Sequence, residues 1–149
     1  VDPLTLDITP VPRPVGLKNE SIGVITAFSS EAVTGAAARD TAKGTVVHLR
    51  PTVHSMQQAD IKSRPHAIVF PKYLRGSDTR LQVRARVPAL LEIQENAFNT
   101  HVLGKGGFES VRSIVEQFPV YTLEYSDLDQ ALPVMDAIDA GEEVVGRNV

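Results

Sequence analysis

HAIVFPKYLRGSDTRLQVRARVPALLEIQ, residues 66–94, carries two strand signals and the opening of a helix in one run, and the fold class turns on how they alternate. Ala67, Ile68, Val69 and Phe70 are adjacent and apolar, which predicts a buried strand ended by Pro71. Residues 81–87 alternate strictly, with Leu81, Val83, Ala85 and Val87 on one side and Gln82, Arg84 and Arg86 on the other. That period is a half-buried strand whose two arginines share a sheet face. Pro88 suits the first position of a helix, where its missing N–H is needed by nothing. The helix it opens has an apolar stripe of Leu90, Leu91, Ile93, Ala97, Phe98 and Val102 and closes at Gly104.

The same alternation continues outward. Downstream, residues 107–118 predict an amphipathic helix through Phe108, Val111, Ile114, Val115 and Phe118, VYTLEY (120–125) a last strand, and Ser126 or Asp127 the cap of a final helix that kinks at Pro133. Upstream, residues 45–51 read as a strand with a proline stop and SMQQAD (55–60) as a short helix. Residues 29–44 are small and polar, a long loop or frayed helix. Asn19 is placed to cap a helix striped by Ile22, Ile25 and Phe28, and Pro10, Pro12 and Pro14 make residues 8–15 a rigid extended lead-in. Strands interspersed with helices imply an α/β or α+β fold, a mixed sheet with packed helices, in a single domain or domain fragment spanning 1–149.

With 149 residues, 42% hydrophobic and 22% charged, the chain is long enough for a core that needs no disulfide or metal staple. It has no cysteine, which excludes thiolate metal sites and a cysteine nucleophile and suits a reducing compartment. No leader pattern and no bilayer-length apolar run is visible, so a cytoplasmic protein without membrane association is expected. The opening Val1, in place of Met, suggests a processed or truncated chain.

Charge is unevenly distributed. Residues 39–87 hold ten Lys and Arg against three Asp and Glu, net +7, whereas residues 88–149 sum to −8. A basic block of this kind attracts phosphates, nucleic acid or an acidic partner, unless it pairs with the acidic third across the fold. Nucleic acid is the lesser expectation, because aromatics are only 5% and no helix-turn-helix or ribonucleoprotein signature is present.

Among residues that carry chemistry, GAAARDTAKGT (35–45) mixes Gly, Lys and Thr as phosphate-binding loops do. Its order is wrong for a P-loop: Lys43 precedes Gly44, and a strand follows where a helix should open. What survives is Lys43 as a cation at a loop–strand junction, either reaching a phosphate or simply solvated. Lys105, Gly106 and Gly107 precede a helix and form a second, weaker anion candidate or a tight helix–helix turn. His48 and Arg50 share a strand face and are placed to approach Lys43. The four histidines, His48, His54, His66 and His101, lack metal-binding spacing, so no metal site is expected. Ser126, Asp127 and Asp129 sit where a helix cap needs them, and Asn19-Glu20-Ser21 matches a glycosylation sequon in a chain with no other sign of secretion.

Several long segments together resemble one family: PRPVGLKNESI (12–22), TAKGTVVHLRP (41–51), AIVFPKY (67–73), ENAFNTHVLGKGGFE (95–109) and YTLEYSDLDQA (121–131). In order and spacing they are similar to the C-terminal part of the HPr-kinase-related proteins, relatives of HPr serine kinase/phosphorylase. The resemblance implies a P-loop kinase-like fold and, for the complete protein, ATP and magnesium used to phosphorylate a seryl hydroxyl on a small HPr-like carrier protein. The better-known relatives form hexamers, so a homo-oligomer is the corresponding expectation. The family's P-loop and metal-holding acids lie upstream of the matching region, so this chain alone is expected to bind no cofactor and to be inactive. By resemblance Lys18, Asn19, Lys43, Gly44 and Thr45 belong to loops flanking the active cleft, with lysine at 43 where the kinases carry an arginine. His48, Arg50, Arg84 and Arg86 complete the candidate cations, and Asn96 or Asn99 follows. Two other classes compete: a non-catalytic module binding an acidic or phosphorylated protein, and an oligomerisation domain whose charged halves pair between subunits.

Overall fold

The computed structural model describes residues 1, 2, 4–97 and 100–142, with Thr100 and His101 described by backbone alone. The fold is mixed α/β, and the chain divides into two compact units, residues 9–62 and residues 1–8 with 63–149. Phe98 and Asn99, assigned above to an apolar stripe and to a family-like segment, lie outside the described residues.

In the unit of residues 9–62, β1 (Val15–Lys18) leads into α1 (Glu20–Phe28), followed by β2 (Ala38–Thr41), β3 (Gly44–Leu49) and α2 (Val53–Gln57). The strands form an antiparallel sheet in the order β1-β3-β2. Leu17 and Val47 stand opposite each other in register and are the buried apolar residues of this unit. Their neighbours Lys18, opposite Val46, and His48, opposite Gly16, lie on the other face, as the two-residue period requires. Of the loop or frayed helix expected over 29–44, residues 29–37 are loop, whereas the rest is corrected: residues 38–49 fold as a hairpin turning through Ala42 and Lys43. The strand β1 was also not foreseen. Local propensity favours neither, because both strands are short and draw their hydrogen bonds from β3. The short helix begins earlier than expected, at Val53, because Thr52 caps it by accepting a bond from Ser55 N–H at 3.0 Å.

In the other unit an antiparallel bridge ties Ile8 to Ser63. Then β4 (Ile68–Tyr73) and β5 (Arg80–Val83) flank β6 (Val120–Tyr125), parallel and antiparallel to it respectively, while α3 (Arg86–Asn96), α4 (Thr100–Gln117) and α5 (Leu128–Asp139) cover the sheet. Alternation along the strands separates two cores. Leu81 and Leu123, with Val69, Tyr121 and Tyr125, pack on Ala131, Val134 and Ile138 of α5. Val120, with Ile68 and Phe70, packs on Ala89 of α3 and Val115 of α4. Three layers result, and fully burying one leucine such as Leu123 stabilises them by about 2 kcal/mol. Asp127 caps α5 by accepting from Asp129 N–H at 2.9 Å, and α5 runs continuously through Pro133.

Four expectations in this unit are corrected. The strand β4 does not end at Pro71. Ile68 N–H donates to Pro119 O, so residues 68, 70 and 72 point their N–H groups at β6 and Pro71 turns its missing donor to the open edge, where no ladder bond is lost. The alternating run 81–87 is not one strand, for the ladder stops at Val83 and α3 starts at Arg86, so Arg84 and Arg86 share no sheet face. Pro88 is the third residue of α3, still within the first turn whose N–H groups lack helical partners. That helix closes at Asn96, and Gly104 instead interrupts α4, with φ 49° and ψ −130° dividing it into two helical pieces. Among the described residues no helix is long and apolar enough to cross a membrane.

Candidate functional site

The candidates Lys18, Asn19, Lys43, Gly44 and Thr45 meet at one end of the β1-β3-β2 sheet. Asn19 stands at the N-cap position of α1 but makes no cap bond. Its backbone N–H donates to Thr45 O at 3.0 Å, its Oδ1 accepts from Thr45 N–H at 3.1 Å, and its Nδ2 donates to Lys43 O at 3.4 Å. The side chain lies against Gly44, where a Cβ would fall 2.2 Å from Asn19 Oδ1. Gly44 has φ +80°, a conformation ordinary side chains resist. Close approach and backbone conformation therefore both require glycine at this position.

The two lysines are held in the same way. Lys43 N–H donates to Thr41 Oγ1 at 3.1 Å, and that hydroxyl donates onward to Gly44 O at 2.6 Å. Lys43 O accepts from Asn19, so both backbone polar groups of Lys43 are fixed by side chains. Lys18 N–H donates to Ser21 Oγ at 2.9 Å, and Ser21 Oγ–H returns a bond to Lys18 O at 2.7 Å. Both side chains are exposed, and neither ammonium makes an ion pair among the described residues. The backbone is spent on geometry and the charge is left for solvent or a ligand. The part that Ser21 and Thr41 play in holding the lysine backbones was missed in the sequence. A Thr two residues before a lysine in a polar turn is the signal that would have found Thr41, since such hydroxyls bind their own backbone two residues on.

The remaining candidates are placed otherwise. His48 lies on β3 and Arg50 just beyond its end; at about 3.3 Å per residue along the strand the His48 backbone is roughly 15 Å from the Lys43 turn. His48 is exposed opposite Gly16, and Arg50 N–H donates to Val33 O at 2.8 Å. Arg84 and Arg86 belong to the other unit. Arg84 sits 4.0 Å above the Phe70 ring centroid and pairs with Glu92 of α3, which satisfies its charge and buries its stem. Arg86, the first residue of α3, is exposed. Lys105, Gly106 and Gly107 follow the Gly104 break; a Cβ on Gly107 would come 2.7 Å from Leu103 Cβ, so that glycine permits close packing within the helix. His66 lines a small hollow with Tyr121, Ile138 and Gly141.

Magnesium and nucleotide, implied by the resemblance, do not find their usual holders here. Among the described residues no group of three or more His, Asp or Glu is disposed to hold a metal ion, and the sequence has no GxxxxGK[S/T] loop. What the arrangement offers chemically is two exposed ammonium groups carried on held backbone, a chemistry able to contact an anion. No family model, curated protein or solved structure matches the chain.

Proposed function

We propose that this chain supplies cationic loop ends to a phosphoryl-transfer site, as the C-terminal segment of an HPr-kinase-like, ATP-dependent protein serine kinase. The observation that carries the reading is the pair Lys18 and Lys43, each with both backbone polar groups held by neighbouring side chains and each presenting an ammonium that makes no ion pair among the described residues. Phosphoryl transfer asks a protein mainly to position groups and to stabilise charge on equatorial oxygens, and a backbone held before the ligand arrives leaves only the lysine stems to be ordered on binding. Lys18 and Lys43 would contact phosphate oxygens; nucleotide and metal would be held by residues outside this site. The unit that carries the site, residues 9–62, holds six Lys and Arg against four Asp and Glu, net +2, a balance that mildly favours an anionic ligand.

The test has two parts. Calorimetry with pyrophosphate at low ionic strength should give binding that weakens in K18M and in K43M and nearly vanishes near 1 M salt, where the screening length falls to about 3 Å. In the complete protein, with upstream sequence attached, K43M should lower ATP-dependent phosphorylation of an HPr-like carrier. Pyrophosphate affinity that survives the K18M/K43M pair sinks the reading. Salt-sensitive binding of a phosphoserine peptide, with no nucleotide-dependent phosphorylation by the complete protein, would replace it by the non-catalytic module.

A further inference from the structure

We infer that Asn19 is a positioning residue, which fixes Lys43 as an anion ligand through the Lys43–Gly44–Thr45 turn; the inference rests on the reading of Lys18 and Lys43 given above. Asn19 occupies the place from which a side chain ordinarily caps a helix, yet its amide forgoes α1. Instead it spans 24 residues of sequence to Lys43 O and 26 to Thr45 N–H. It does so at φ 49° and ψ −123°, a strained backbone conformation outside the left-handed helical well, which persists only where surrounding bonds determine it. Gly44 is the matching half, since any side chain there would expel the amide. Thr41 binds the turn from within the hairpin and Asn19 binds it from the residue after β1, so the Lys43 backbone is clamped between two side chains. Lys18 is the residue before Asn19, so one backbone segment carries the first lysine and fixes the second.

A double-mutant cycle tests this, read by calorimetry with pyrophosphate on the whole chain. The substitution N19G keeps the positive φ at no steric cost and removes the amide alone. If Asn19 acts through Lys43, N19G weakens affinity about tenfold, K43M does likewise, and N19G/K43M is no weaker than K43M alone. Losses that add overturn the inference, because they mean that Asn19 and Lys43 act independently. N19G binding as the unaltered chain does overturns it too and leaves the reading of the lysines standing. An unaltered chain that takes up no pyrophosphate overturns both. Should N19G fail to fold, nuclear magnetic resonance of the unaltered chain decides: the Asn19 side-chain amide should shift with pyrophosphate on the same isotherm as Lys43 N–H, and an amide that stays still counts against the inference.

Discussion

The glycines Gly16 and Gly44 belong to adjacent strands and have opposite reasons to be glycine. Gly44 has φ +80° and the Asn19 amide packed on it, whereas Gly16 has no heavy atom within 4 Å of where a Cβ would stand and needs no positive φ. Gly44→Ala should therefore cost about 1–3 kcal/mol, from the left-handed backbone and the displaced amide together. Gly16→Ala should be neutral or stabilise by up to about 1 kcal/mol, because a strand interior gains from any residue with less freedom to lose. Urea midpoints at unchanged m-value measure both, and equal stability of the two variants would show that the Asn19 contact has no energetic consequence. The residue types were legible in the sequence, for Lys18, Asn19, Lys43 and Gly44 all stood out. Their meeting was not, because whether Asn19 caps its own helix or binds a turn 24 residues away depends on β1 pairing with β3, which no local pattern announces.

Elements with a dense apolar or β-branched run were easier to read than short or simply alternating ones. The strands β3, β4 and β6 and the helix α5 stood out because a run of apolar or β-branched residues needs a core wherever it lies. In contrast, the alternation of residues 81–87 extends past the end of the strand: Arg84 N–H still donates to Val120 O at 2.8 Å, but α3 starts at Arg86. The sheet of β4, β6 and β5 has its own charge pattern: Lys72, Glu124 and Arg80 stand in one cross-strand row. The Lys72 ammonium, 2.9 Å from Glu124, holds that carboxyl below the usual carboxylate range, chiefly through the hydrogen bond and then through its charge, with a smaller contribution from Arg80. A lowered folded-state pKa stabilises fully above the ordinary carboxylate value and is lost as pH falls through the folded value. Lys72→Met should thus lower the urea midpoint slightly at pH 7, as expected for an exposed pair, and the difference should close below about pH 4, once Glu124 begins to protonate. A difference that persists undiminished at pH 2 would assign the effect to packing of the lysine stem.

At the scale of the whole molecule the two units differ most in what they bury. In residues 63–142 the buried apolar set includes Leu81, Ala89, Val115, Val120, Leu123, Ala131, Val134 and Ile138, whereas in residues 9–62 it is Leu17 and Val47. The candidate lysines thus ride on the weaker unit, where Val15, Val24, Val33 and Met56 remain exposed. Composition conceals this asymmetry, because it averages hydrophobic content over the chain, and only the folded burial pattern shows where that content is used. At about 2 kcal/mol for each fully buried aliphatic side chain, local opening of residues 9–62 should require much less free energy than opening the three-layer unit. Native-state hydrogen exchange measures the difference directly. Amides of β6, at the centre of its sheet and covered by helices on both faces, should exchange slowest, and those of β1 and β2 at least about a hundredfold faster. Pyrophosphate should then slow exchange at Lys43 and Thr45 while leaving β6 unchanged, because a ligand that binds only the closed form stabilises the segment it holds closed. Uniform protection across both sheets would instead mean that they open together as one cooperative body, and that the lysine turn is as rigid as the core.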